Sequence, residues 1–139
     1  IGRPVMPTDH DYFKKLKNLA SNKNLKTINF VGFVPFSQIL PYYQQADLAV
    51  NLAPTGGLDK VALEAMAAGL PVLVANEGFA DTLGRYQDLL IFKYGDPISL
   101  SNKIFDLINN FDNKLPNYLM QAVRNQHALD NVIKLISKL

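Results

Sequence analysis

Short apolar runs alternate along this chain with segments whose apolar residues recur every three or four positions. That alternation marks a parallel α/β sheet flanked by helices. Residues 9–21 carry Tyr12, Phe13, Leu16 and Leu19 on one side and lysines at 14, 15 and 17, which predicts a helix. Thr27-Ile28-Asn29-Phe30-Val31 predicts a strand stopped at Gly32. Residues 36–45 predict a short helix, broken or begun at Pro41. Residues 48–52 predict a second strand, closed by Pro54, Thr55, Gly56 and Gly57. A helix then runs from Lys60 to Ala68. Asp59 is placed to accept from the free N–H groups of its first turn, and Gly69 to end it.

Pro71-Val72-Leu73-Val74-Ala75 is a continuous apolar run, as expected of a strand covered on both faces. A half-turn near residues 79–83 leads to a further expected strand, Leu89-Leu90-Ile91-Phe92. Pro97 sits at the first position of a helix expected to reach about Asn110. Residues 117–139 are helical in pattern, with a break near His127. Without internal repeat or long linker, residues 1–139 read as one domain. The opening Ile1-Gly2-Arg3-Pro4 reads as the last residue of a strand running into its loop. On that reading the sheet lacks its first strand and nearly all of its second, and residues 27–31 and 48–52 flank a vacancy instead of pairing.

Composition narrows the partners. The net charge of +2 is small and the lysines are scattered, so nothing points to nucleic acid or to an anionic membrane. With no cysteine, disulfides and thiolate metal sites are excluded. His10 and His127 lie far apart and suggest no metal site. No apolar run nears the roughly 20 residues of a membrane helix, and no signal-peptide pattern opens the chain, so the cytoplasm is the default compartment.

The informative stretch is NLAPTGGLDKVALEAMAAG, residues 51–69. A strand ends, a loop with two glycines follows, and a helix begins. Ligands of open parallel sheets bind just beyond the strand C-termini, and a helix N-terminus suits a phosphate. Gly56 and Gly57 let backbone come close to a ligand, or they only make a tight turn. Glu64 is one of two glutamates in the chain and sits among small apolar residues. Burying a carboxylate there costs several kcal/mol unless it is paired, hydrogen-bonded or open to a cleft. It lies about one turn from Lys60. Two readings stand: a ligand for the vicinal hydroxyls of a ribose, or a solvated residue in a simple Lys60–Glu64 pair.

LEAMAAGLPVLVAN, residues 63–76, resembles the core motif of the family 4 retaining glycosyltransferases, where a helix Glu is followed by Ala-Met-Ala, Gly and Pro-Val. INFVGFVPFSQILPYYQQADLAV, residues 28–50, resembles the preceding segment of that family. Gly95-Asp96-Pro97 and Gln126-His127-Ala128-Leu129 resemble its late segments. The resemblance covers nearly the whole chain in order. It implies a Rossmann-like parallel sheet flanked by helices, the C-terminal donor-binding half of a GT-B glycosyltransferase, N-terminally truncated. The implied reaction moves a sugar from a nucleotide-diphosphate donor to an acceptor with retention, with no cofactor and no metal beyond that donor. The acceptor, a glycan, lipid or small molecule, would be met through a missing N-terminal domain, as would any membrane surface. The chain alone would be inactive.

By the same resemblance Glu64 holds the nucleotide ribose, the backbone at Val34 lies against the base, and Gly57 meets the sugar and diphosphate. A cleft lined by Gly32, Val34, Gly57 and Lys60 would receive the Glu64 carboxylate. One departure stands out: the family carries a second Glu, which contacts the transferred sugar, where this chain has Gly56. Asp59 for sugar hydroxyls and Lys60 for phosphates are the replacements to weigh, against a plain N-cap and a solvated lysine. That departure keeps a non-catalytic nucleotide-sugar-binding module open as an alternative. A sugar-nucleotide epimerase or phosphorylase of the same architecture is another. A phosphate-receiver domain fits poorly, because Asp47 precedes its strand.

Overall fold

The structure is a computed structural model that describes residue 4, residues 6–54 and residues 56–128. It divides into two compact units, Ile1–Ile39 and Leu40–Leu139. The first unit holds α1, Pro7–Asn22. Asp9 fixes its start by accepting from the Met6 N–H at 2.8 Å, which answers one of the unpaired donors of a helix N-terminus. Phe13 meets Phe30 edge to face at 5.6 Å, and the Lys17 ammonium lies 4.6 Å from the Phe13 ring centroid. No residue of α1 is fully buried.

The strand expected at residues 27–31 does not form. A strand exists only through its ladder, and no described segment pairs with this one. The backbone turns locally instead, with the Ile28 N–H donating to the Leu25 carbonyl. Ile28, Val31 and Phe33 stand exposed.

The second unit begins with α2, Leu40–Gln45, after a 3₁₀ turn at Phe36–Gln38 that ends the first; the break expected near Pro41 falls one residue earlier. β1, Ala49–Asn51, and β2, Val72–Val74, form the two-stranded parallel sheet, with Ala49 opposite Val72 and Asn51 opposite Val74. Bonds from Ala49 N to Pro71 O and from Ala75 N to Asn51 O extend the ladder at both ends. Both strands are shorter than their apolar runs. α3, Lys60–Ala67, joins them, and Gly69 ends it at φ +80°, a conformation that side chains avoid. This β1–α3–β2 crossover is the parallel unit that the alternating pattern predicts.

After β2 come a 3₁₀ turn at Glu77–Phe79, α4 at Ala80–Leu83, a 3₁₀ turn at Gly84–Tyr86 and α5 at Gln87–Leu90. The strand expected at residues 89–92 is therefore a correction. Leu89 and Leu90 close a helical turn, with Ile91 N donating to Gln87 O, and only Ile91 bridges in parallel to Val74. Four apolar residues do not tell a buried strand from a buried helical turn. α6, Pro97–Asn109, is capped by Asp96, whose Oδ1 accepts from Ile98 N and Ser99 N. α7 runs from Leu115, two residues earlier than expected, to His127. The rest of the expected last helix lies outside the described residues.

The core of this unit is built from Ala62, Ala65 and Met66 of α3, all of β2, Phe79, Leu83, Leu90, Leu107 of α6, and Leu115 and Leu119 of α7. β2 is buried along its whole length, as its unbroken apolar run predicts. Among the described residues no helix is long and apolar enough to cross a membrane.

Candidate functional site

The loop from Leu52 to Asp59 is held at the carboxyl ends of both strands by two asparagines. Asn51, the last residue of β1, is buried. Its Nδ2 donates to Asp59 Oδ2 at 2.8 Å and its Oδ1 accepts from Ala53 N at 3.2 Å. Asn76, two residues beyond β2, has no exposed surface. Its Nδ2 donates to the Gly57 carbonyl at 3.3 Å and its Oδ1 accepts from Gly78 N at 2.8 Å. The start of α3 is thus tied to β1 through Asp59, and the glycine pair to the end of β2 through Gly57. Short polar side chains that bond to nearby backbone suit this task.

Asp59 caps α3 as the sequence predicts, its Oδ1 accepting from Val61 N at 3.1 Å. Its other oxygen is taken by Asn51, so both are engaged. Gly56 and Gly57 are exposed, and a Cβ added to either would meet no atom within 4 Å. Thr55 between Pro54 and Gly56 lies outside the described residues. Lys60 is exposed on the first turn of α3.

Glu64 is half-buried one turn further along α3. The pair with Lys60 does not form. Its partner is Tyr43 of α2, whose hydroxyl donates to Glu64 Oε2 at 3.1 Å. Oε1 has no hydrogen-bond partner among the described residues. Burial first, then the bond to Glu64 and the charges of Glu64 and Asp59, push the Tyr43 phenol from 10.0 up to about 12. Tyr43 and Glu64 are therefore in direct contact, and the Asp59 charge is felt at the phenol. Gly32 and Val34, both half-buried, belong to the first unit.

Of the seven residues the sequence singles out, Gly56, Gly57, Asp59, Lys60 and Glu64 share one loop and one helix start. Three further residues, Tyr43, Asn51 and Asn76, organise that region and were not singled out. Asn51 and Asn76 each end an apolar run at the mouth of a strand, a position that could have marked them. Tyr43 lies in the Tyr-Tyr pair of α2, where nothing but spacing separates it from Tyr42. His10 is exposed on α1 of the first unit, and in the second unit His127 Nε2 shares a 2.8 Å hydrogen bond with the buried Thr82 Oγ1.

A parallel β–loop–α–β unit with backbone and carboxylate groups beyond the strand ends is the place where open α/β sheets take their ligands. Residues 1–126 match the family Glycosyl transferases group 1, and the chain belongs to it. It is 30% identical over 104 residues to an uncharacterised glycosyltransferase of Methanocaldococcus jannaschii, covering 73% of this chain and 29% of that protein. It is 37% identical over 65 residues to an alpha-monoglucosyldiacylglycerol synthase of Acholeplasma laidlawii, covering 47% of this chain and 16% of that one. The fold matches that of a sucrose-phosphate synthase from Thermosynechococcus elongatus with a TM-score of 0.81 over 99% of this chain and 35% of that one, at 22% identity. The fold is that of a GT-B glycosyltransferase C-terminal domain. The chain spans less than a third of the length of the curated relatives it matches.

Proposed function

We propose that this chain is the donor-binding part of a glycosyltransferase that moves a sugar, with retention, from a nucleotide-diphosphate sugar to an acceptor. Glu64 carries the reading. It is a half-buried carboxylate held by one phenol, with one oxygen free of described partners, on a helix whose start is tied to the carboxyl ends of paired strands. Such a carboxylate can accept from the two vicinal hydroxyls of a ribose, since an ionised carboxyl offers about four acceptor sites.

The remaining roles follow the same reading. The backbone at Gly56 and Gly57 meets the sugar and the diphosphate, and Lys60 faces the phosphates. Stabilisation of the departing diphosphate falls to these N–H groups and to Lys60, without a metal or resident cofactor. Asp59 already accepts from Asn51 and from Val61, one bond on each oxygen, and its role here is to hold the loop. The acceptor, whether glycan, lipid or small molecule, is met by another part of the protein. The cytoplasm is the compartment we assign by default.

Gly56 favours a second reading. The family's sugar-contacting glutamate is absent there, and a module that binds a nucleotide sugar without transferring it needs no such group. Calorimetric titration with UDP, GDP and ADP tests the shared premise. At least one should bind saturably, and Glu64→Gln should weaken it about tenfold while the circular dichroism stays unchanged. Unchanged affinity would refute the ribose role. Release of glycoside product from the bound donor by the whole protein, given its acceptor, separates transferase from module.

A further inference from the structure

We infer that Tyr43 is a positioning residue, its hydroxyl fixing the Glu64 carboxylate in the orientation that receives the ribose hydroxyls. The inference rests on the ribose reading of Glu64 and goes beyond it. The phenol donates to Oε2 at 3.1 Å, and Oε1 is left without a described partner. A carboxylate pinned by one oxygen keeps its other oxygen, and a second lone pair on the first, for a ligand. The two side chains come from different helices, twenty-one residues apart in sequence. The contact is therefore made by the tertiary fold rather than by local geometry.

Tyr43 suits the task. Its ring packs against the core of the second unit, which anchors the residue while its hydroxyl reaches Glu64. A tyrosine has two side-chain torsions to fix, whereas an unsupported glutamate has three and loses rotamer freedom when a ligand fixes it. Holding the glutamate in advance moves that cost from binding to folding. The phenol stays protonated through the whole neutral range, because its raised pKa of about 12 lies far above it, so the donor is always present. Neighbouring Tyr42 is exposed, with no described bond to Glu64, and serves as the control.

The test compares the affinity of the protein for UDP, GDP and ADP with that for the 2′,3′-dideoxy form of each. Tyr43→Phe keeps the ring and removes only the donor. It should weaken the ribonucleotide that binds best by about tenfold, which is about 1.4 kcal/mol. It should leave the dideoxy form unchanged, so that discrimination between the two falls. Tyr42→Phe should change neither. In a Glu64→Ala background, Tyr43→Phe should have no further effect on either ligand.

A role in packing alone would weaken both forms equally and would persist beside Glu64→Ala. Either result overturns the inference. If Glu64→Ala itself leaves ribose discrimination intact, or if none of the three nucleotides binds, the ribose reading has failed. If Glu64→Ala abolishes discrimination while Tyr43→Phe preserves it, the ribose reading stands and the positioning role of Tyr43 is wrong.

Discussion

Two buried amides decide where the glycine loop lies. Asn76 makes both its bonds to backbone, to Gly57 O and from Gly78 N, with no exposed surface of its own. Asn76→Ala leaves a carbonyl and an N–H without partners in a half-buried place, at about 1–3 kcal/mol for an unsatisfied group. Urea denaturation should show a loss of about 2 kcal/mol, and nucleotide affinity should fall with it because Gly57 is released. A loss of stability with affinity kept would mean that the loop position does not matter to the ligand.

The Tyr43 phenol gives a titration with a defined sign. Its pKa is raised from 10.0 to about 12 in the folded chain, so the folded state holds that proton more tightly than the unfolded state. The stability this contributes is fully present below pH 10 and is lost as pH rises through 12. In alkaline denaturation between pH 10 and 12, Tyr43→Phe should therefore lose less stability per pH unit than the parent protein. Tyr86 is raised in the same direction, first by its hydrogen bond to Asp112, and adds to the alkaline slope of both proteins alike.

At the scale of elements, the helix that carries Glu64 was the most legible part. Asp59, the small-residue run and Gly69 fix its two ends, and the structure agrees to one residue. β1 and β2 were legible for the same reason, since an apolar run between turn signals is bounded on both sides. Residues 27–31 have the composition of a strand, but a strand also needs a neighbour, which composition does not supply. Residues 89–92 went the other way, into a helical turn and one bridge, because local bonds from Gln87 onward competed with the ladder.

The joint between α4 and α5 was unreadable because a side chain from α7 shapes it. Gly84 has φ +49°, and a Cβ there would lie 2.1 Å from the Tyr118 hydroxyl. Tyr118 is in turn held edge to face against Tyr86 at 5.1 Å, with the Arg85 guanidinium beside both rings. Gly84→Ala combines an unfavourable backbone conformation with displacement of that ring. It should lower stability by about 2 kcal/mol, seen as a drop in Tm, without altering nucleotide affinity, since α4 carries no residue of the loop.

For the molecule as a whole, the motifs between residues 28 and 76 carried the family through their order and spacing, and the match over residues 1–126 and the fold agree with them. The polar residues that organise the site were less legible. Asn51, Asn76 and Tyr43 are ordinary residue types whose importance lies in what they touch, and those partners lie as far as 21 residues away in sequence. The central claim is that a nucleoside diphosphate binds where the loop meets the start of α3. Amide chemical shifts of ¹⁵N-labelled protein, followed while UDP, GDP and ADP are added, test it most directly. The account predicts saturable shifts for at least one nucleotide, concentrated at Gly56, Gly57, Lys60 and Glu64, and smaller ones at Tyr43 and Gly78. Saturable shifts centred instead on α6 or α7, with residues 56–64 unmoved, or no saturable shift with any of the three, would contradict it.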